Sequence, residues 1–240
     1  LDDLDDLLDT AHDFFKSLDP EWYQLFMNLY RQRKTTVSFT DCRSFSSYFP
    51  SNGLWLANIT RKHTIQDYVN TIHEFAHGIA DQLTDTIKTY NADNIFIELF
   101  PIVIQMVWLY EFNDLGLQHE ISKYMNNYLK IMIAYAEEIR MKYNIASTFV
   151  NVKNSRNLSR LIKKEWGITI SKEELEEIYS NPVEELFSYV FPFLIAIELM
   201  EIYIKDKAEF ITIMNDIIKT DLKPLELLDK YNLTPNKSLK

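Results

Sequence analysis

Two histidines four positions apart, with a glutamate directly after the first, are the residues of this chain best suited to do chemistry. They are His73, Glu74 and His77, in the pattern HExxH. Positions four apart lie on one face of a helix, so both imidazoles can reach a single metal ion. The glutamate then lies beside that ion. The pattern is typical of zinc hydrolases, in which this glutamate handles the proton of a metal-bound water.

A catalytic zinc ion needs a third protein ligand and keeps a fourth position for water. His63, His119 and several carboxylates are candidates for the third ligand. Glu98 is the strongest candidate, because it is an acid in an otherwise apolar run, and a buried carboxylate is costly unless it is paired or bound to metal. Two helices joined by a loop can face each other and place Glu98 opposite the histidines. The sequence therefore predicts one zinc ion held by His73, His77 and Glu98.

The predicted reaction is hydrolysis of an amide bond. Zinc lowers the pKa of a bound water from about 15.7 to about 7, and Glu74 accepts the proton. The hydroxide attacks the carbonyl carbon, and Glu74 passes the proton to the departing amine. The developing oxyanion needs a hydrogen-bond donor, which a tyrosine can supply.

Composition limits the class of protein. The chain has 240 residues, 47% of them hydrophobic, and only 4 glycines, which favours one large-cored and mainly helical domain. The formal net charge of -10 disfavours a nucleic-acid partner. The single cysteine, Cys42, predicts a reducing, cytoplasmic location. Glu98 and Gln105 interrupt the apolar run at 95–109, so no membrane span is predicted.

The elements that must position the site follow from hydrophobic spacing. Thr64 is expected to cap the helix that carries the motif. After a linker at 91–94, a second helix is predicted from about 95 to 113, and a long one from about 118 to 143. Strand-forming residues around a Pro-Ser-Asn-Gly turn predict a small sheet or hairpin at about 35–60, directly before the metal helix.

Further helices are predicted towards both ends of the chain. Ser171 and Glu174 form a capping box for a helix through 178. Residues 151–162 are polar and basic and are predicted to be a surface connection. The remaining predicted helices cover residues 3–18, 183–203 and 208–218, with others starting at 20 and 224. The whole chain, residues 1–240, is expected to form one domain.

Several segments resemble the M3 family of zinc oligopeptidases, particularly oligoendopeptidase F. One is the metal motif His-Glu-Phe-Ala-His with the residues that lead into it, and another is the Phe-Ile-Glu-Leu segment around Glu98. A tyrosine-containing helix start and a closing helix near the end also look similar. The order and spacing of the pieces match across roughly residues 1–235. In chain order, the resembling segments are residues 68–72, 73–77, 96–99, 187–191 and 224–228.

The resemblance implies a multi-helical, zincin-like catalytic domain that cleaves short peptides in a channel between helical lobes. His73, His77 and Glu98 would be the zinc ligands and Glu74 the general base. Strands from residues 35–60 would pair with the peptide backbone of the substrate.

A tyrosine is the oxyanion donor that the resemblance implies. Tyr189 matches the position, and Tyr179 and Tyr203 are the substitutes if the register differs. The competing interpretation of Tyr189 is a core aromatic on an apolar helix.

Three differences from the family are visible in the sequence. Ala76 stands where the family usually has glycine, residues 175–188 contain no histidine, and the family's N-terminal lobe is absent. They keep a second hypothesis open: a helical zinc- or peptide-binding domain with weak or no catalysis that needs a missing lobe or a partner. A third hypothesis is an incomplete domain whose apolar surface associates with a second copy or another lobe.

Overall fold

The computed structural model describes residues 4–49, 51–84, 97–112, 117–148, 155–171, 173–176, 183–219 and 224–233. Within these ranges the protein is mainly helical with one small sheet, which confirms the predicted fold class. The helices are α1 (Leu4–Leu18), α2 (Pro20–Thr36), α3 (Ile65–Leu83), α4 (Leu99–Glu111), α5 (Gln118–Thr148), α6 (Ser155–Trp166), α7 (Val183–Lys205), α8 (Lys207–Lys219) and α9 (Pro224–Tyr231). The strands are β1 (Val37–Thr40), β2 (Phe45–Phe49) and β3 (Leu54–Thr60).

The three strands form one sheet in the order β1-β3-β2. Strand β1 pairs with β3 in parallel, and β2 pairs with β3 in an antiparallel hairpin in which Tyr48 lies opposite Trp55. The hairpin turn contains Gly53, whose φ of +64° is a conformation that glycine adopts without strain. Strand β2 therefore lies at one edge of the sheet, against α3.

Helix α3 carries the metal motif and packs closely on α2 and β3. Its first turn is capped by Thr64, whose side chain accepts a hydrogen bond from the backbone N–H of Gln66 at 3.3 Å. Gly78 faces the neighbouring elements: a Cβ at this position would lie 2.6 Å from Leu29 Cδ1 and 2.8 Å from Trp55 Nε1. Only glycine lets α3 approach Leu29 and Trp55 this closely, so Gly78 determines how tightly α3 packs against α2 and β3.

Helix α4 is the centre of the core. It is apolar almost all round, and nearly all of its residues are buried between α3 and α7. The polar exception within it is Gln105, which is 4% exposed. Because α4 is enclosed by other elements, packing holds it in one position against α3. The same packing fixes the place where the two helices form the site.

The segment predicted as a surface connection at 151–162 is different in the structure: from Ser155 it is helix α6. Leu158 and Ile162 are four apart on this otherwise polar helix, and both are buried. They join Ile145 and Leu175 in a second, smaller core. The prediction was wrong because two buried apolar residues in a basic segment are too few to reveal a helix by hydrophobic periodicity. The predicted linker at 91–94 and the helix end at 178 lie outside the described residues.

Among the described helices, one segment has the length and composition to cross a membrane, Leu186–Lys205 in α7. It is longer than the apolar run at 95–109 that the sequence analysis identified. In the structure α7 packs against α4, α5 and α8, and core helices of this kind are as apolar as membrane spans. The apolar window is 44% buried, so packing accounts for part of its composition, and the absence of a membrane partner stays a prediction.

Candidate metal centre

Three side-chain atoms converge where α3 and the start of α4 meet. The Nε2 atoms of His73 and His77 lie 3.2 Å apart. Glu98 Oε2 lies 3.2 Å from Nε2 of His73 and 3.5 Å from Nε2 of His77. In a tetrahedral zinc site with ligands at about 2.0–2.1 Å, ligand atoms are separated by about 3.3–3.4 Å. The triangle therefore has the size of one face of a zinc coordination tetrahedron.

Each ligand candidate is placed by its helix. His73 and His77 are one helical turn apart on α3, so their rings project side by side. Glu98 occupies the cap position of α4 but makes no side-chain hydrogen bond to that helix. Its carboxylate extends towards the histidines instead. Within the described ranges, these three residues are the group of histidine, cysteine and acidic side chains that could hold a metal ion.

The carboxylate of Glu98 has an unusual environment. Its Oε2 is buried and no hydrogen bond of acceptable geometry reaches it. Burial alone would raise the pKa of Glu98, but the neighbouring His73 and His77 hold the pKa well below its usual range. Burial opposes the protonated form of His77, yet Glu98, Glu74 and Asp81 raise the pKa of this imidazole overall. The site thus favours a positive charge between the three groups, which a divalent cation would supply.

Gln105 fixes the orientation of the first imidazole. Its Oε1 lies 3.0 Å from Nδ1 of His73. An amide oxygen only accepts, so this contact is a hydrogen bond in the tautomer of His73 that carries its hydrogen on Nδ1, and in that tautomer the lone pair of Nε2 faces the site. Gln105 is two helical turns after Glu98, on the same side of α4. The sequence marked Gln105 only as a polar residue in an apolar run, because its role depends on the packing of α4 against α3.

Glu74 lies in the same cavity as the three candidate ligands. The cavity has a volume of about 830 Å³ and lies between β2, α3, α5, α7 and the start of α4. Glu74 is 4% exposed. Strand β2 is held against this turn of α3, where Ser46 Oγ donates to the backbone carbonyl of Glu74 at 3.4 Å. The edge of the sheet therefore borders the cavity beside Glu74.

Four tyrosines line the cavity: Tyr124, Tyr128 and Tyr135 on α5, and Tyr189 on α7. Burial raises the pKa of Tyr124 and of Tyr128, so both phenols keep their hydrogen at neutral pH. The tyrosines of α5 were not predicted to line the site, since their spacing on that helix resembles ordinary core packing.

Tyr189 is at the cavity wall, and its phenolic oxygen accepts a hydrogen bond from Arg43 Nη2 at 3.1 Å. Arg43 belongs to the connection between β1 and β2, so this bond links the sheet to α7. Tyr203 donates a hydrogen bond to Glu111 at the exposed end of α4 and is not among the described residues that line the cavity. Tyr179 lies outside the described residues.

The two alternative histidines lie apart from the metal triangle. His63 is exposed and has a φ of +55° in the turn before α3. His119 is exposed in the first turn of α5. Neither lines the cavity among the described residues.

No protein-family model matches the chain, and no curated protein matches it. A solved structure does match: "Crystal structure of a putative oligoendopeptidase F from Bacillus anthracis str. Ames". The TM-score is 0.68 at 13% sequence identity, and the match covers 98% of this chain and 43% of that chain. At this identity the similarity shows a shared fold. The chain spans less than half the length of the protein that it matches.

Proposed function

We propose that the protein is a zinc-dependent metalloendopeptidase that hydrolyses short peptides. The observation that carries this proposal is the triangle of His73 Nε2, His77 Nε2 and Glu98 Oε2, with sides of 3.2 to 3.5 Å, beside the buried Glu74. Two imidazoles and a carboxylate are the ligand set of many zinc peptidases, and Glu98 Oε2 has no hydrogen-bond partner that would otherwise satisfy it. A bound zinc ion would polarise the peptide carbonyl and make water acidic enough to be deprotonated.

Glu74 is the proton carrier in this mechanism. It follows His73 directly and is on the cavity wall, so its carboxylate can accept a proton from water near the metal triangle. The same group can then donate that proton to the departing amine. Its low exposure limits competition from bulk water.

Tyr189 is the proposed donor to the oxyanion. Its oxygen accepts a hydrogen bond from Arg43, so the phenol directs its own hydrogen elsewhere, and the arginine charge strengthens it as a donor. The edge of β2 offers the backbone of an extended peptide a place to pair beside Glu74. These two features orient the carbonyl that is to be attacked.

The similar solved structure supports the proposal at the level of fold. It is named a putative oligoendopeptidase F. Four of the five segments of this chain that resemble the M3 family contribute residues to the cavity, and the exception is residues 224–228. The prediction of a cytoplasmic protein with oligopeptide substrates and no nucleic-acid partner accompanies the proposal.

A second candidate function is zinc and peptide binding without turnover, completed by another lobe or by self-association. The observation that favours it is that residues 175–188 contain no histidine that could join Tyr189 in stabilising the transition state.

The test compares the wild type with Glu74→Gln, measuring zinc content and cleavage of a quenched fluorescent peptide library. We expect one zinc per chain in both proteins, hydrolysis that a chelator abolishes in the wild type, and a loss of about 1,000-fold or more in the variant. Glu120→Gln, an exposed change in the first turn of α5, is the matched control. Hydrolysis that resists chelation contradicts the proposal. Zinc and peptide binding without cleavage supports the second candidate.

A further inference from the structure

We propose that Arg43 binds a carboxylate of the peptide substrate, two or three residues beyond the bond that is cleaved. The inference rests on the proposed peptidase function and specifies its substrate class. Arg43 is the one lysine or arginine among the described residues that line the cavity. Its guanidinium has five N–H donors, so it can bind a carboxylate through two of them while another bonds the phenol of Tyr189 at 3.1 Å.

Arg43 is held in place at both ends. Its backbone carbonyl accepts a hydrogen bond from Asn58 Nδ2 at 3.1 Å, and Asn58 is buried in β3. Its guanidinium contacts Tyr189, whose ring lies against that of Tyr135 on α5 with centroids 6.5 Å apart. The side chain therefore extends from the sheet to α7 before a substrate arrives, and less conformational entropy is lost when the substrate binds.

The glutamates among the described residues of the cavity have roles or partners of their own. Glu98 faces the two histidines of the metal triangle. Glu138 forms an ion pair with Lys142 at 2.8 Å, in which the lysine is almost fully buried. Glu74 is the proposed proton carrier. A carboxylate on the substrate would therefore be attracted to the positive charge of Arg43 without displacing these groups.

The place of Arg43 in the chain predicts which end of the peptide it meets. Arg43 precedes β2, and Ser46, three residues later, donates to the backbone carbonyl of Glu74. Antiparallel pairing is the more stable arrangement of two strands, and on the free edge of β2 it directs the carboxyl end of a peptide towards Arg43. Three residues of extended chain span about 10 Å. The carboxylate is therefore expected two or three residues after a peptide bond that is level with Glu74.

Two groups of a peptide could supply this carboxylate: a free carboxyl terminus, or the side chain of an acidic residue near the cut. Peptides of one sequence separate them, made as the free acid, as the amide, and as amides with glutamate two or three residues after the cleaved bond. We expect kcat/KM for the free acid to exceed that for the plain amide about 10- to 100-fold, the order of effect for a hydrogen-bonded charge pair. Mass spectrometry should show a released carboxyl-terminal fragment of two or three residues.

The other outcomes are equally informative. A glutamate amide that is cleaved 10- to 100-fold better than the plain amide, with no preference for the free acid, supports binding of a side-chain carboxylate by Arg43. Equal cleavage of all the peptides overturns the proposal.

Variants of Arg43 test whether this residue causes the preference. Arg43→Gln should reduce it to less than about threefold, and Arg43→Lys, which keeps the charge but not the paired donors, should give an intermediate value. Arg61→Gln is the matched control, because Arg61 directly follows β3 and does not line the cavity, and it should keep the full preference. A preference that survives in Arg43→Gln overturns the proposal.

The ratio of two substrates isolates carboxylate binding from other effects of these changes. Unfolded protein cleaves neither peptide, so a partial failure to fold leaves the ratio unchanged. A weakened Tyr189 would slow both peptides alike, and so would a disturbed link between the sheet and α7. A purely structural role of Arg43 therefore predicts lower rates at a constant ratio, and that result also overturns the proposal.

Calorimetry separates this inference from the proposed function. Glu74→Gln protein should bind the free-acid peptide more tightly than its amide, and the double variant Glu74→Gln/Arg43→Gln should bind the two peptides equally. If the wild type cleaves no peptide, the proposed function fails, and the difference in affinity still decides whether Arg43 binds a carboxylate. Equal affinities for acid, amide and glutamate amide in Glu74→Gln would contradict it.

Discussion

The starts of α3 and α4 each contain a carboxylate with little exposure to solvent, and the surroundings of the two carboxylates are opposite in kind. Asp67, in the first turn of α3, is 3% exposed and accepts hydrogen bonds from the backbone N–H groups of Lys62 at 2.7 Å and His63 at 2.9 Å. Glu98, at the cap position of α4, accepts none from its own helix, and its Oε2 has no hydrogen-bond partner. One carboxylate is satisfied by the backbone, and the other faces two imidazoles.

The difference shows that burial of a charge does not by itself identify a functional site. Asp67 stabilises the turn before α3, in which His63 adopts a positive φ that a residue other than glycine rarely takes. Glu98 makes no side-chain hydrogen bond to its own helix, and the proposed function explains its position by a metal ion that it would bind. We therefore expect changes at Glu98 to affect metal binding and changes at Asp67 to affect stability.

The largest expected effect is that of removing zinc from the wild type. At free zinc about 1,000 times the dissociation constant, binding should stabilise the folded protein by about 4 kcal/mol. Thermal unfolding with and without a chelator measures the shift. The same experiment on Glu98→Gln should show a much smaller shift, and an equal shift would mean that the metal binds elsewhere.

The next effect is that of Glu98→Gln on zinc affinity. The change removes the charged ligand and keeps its shape, so affinity should fall at least about 100-fold, or about 2.7 kcal/mol. Chelator competition with the metal alone measures the affinity. An affinity within about threefold of the wild type would show that Glu98 is not a zinc ligand.

Asp67→Asn should have the opposite effect. An amide cannot accept both backbone N–H groups, so the free energy of unfolding should fall by about 2 kcal/mol in urea denaturation of the zinc-free protein. Zinc affinity should stay within about threefold of the wild type. A loss of affinity comparable to that of Glu98→Gln would remove the distinction between the two helix starts.

The smallest effect is expected for the cap of α3. Thr64→Ala removes the oxygen that accepts from the Gln66 N–H, and it should lower stability by about 1 kcal/mol. Thr64→Ser keeps that oxygen and should restore most of the loss, as the same denaturation experiment would show. Failure of serine to restore it would point to the threonine methyl group.

The sequence predicted what depends on local spacing. The pairing of His73 with His77 follows from the helical repeat, and Glu98 stood out because it was an acid in an apolar run. Gln105 was visible as an interruption of that run, but its hydrogen bond to His73 depends on how α4 packs against α3. Helix α6 was missed because it buries little apolar surface, and its assignment depends on contacts with α5. Long-range contacts of this kind leave almost no trace in composition or periodicity.

The candidate ligands, the proton carrier and the amide behind the first histidine all lie within residues 73–105, on the packed pair α3 and α4. Tyrosines, arginine and the sheet edge come from more distant parts of the chain. Under the proposed function, metal chemistry and substrate selection would thus be encoded in separate stretches of sequence. Exchange of α5 or of the β2 segment could alter the peptides accepted and leave the metal centre intact, which makes the cavity wall a natural place for engineered or inherited variation.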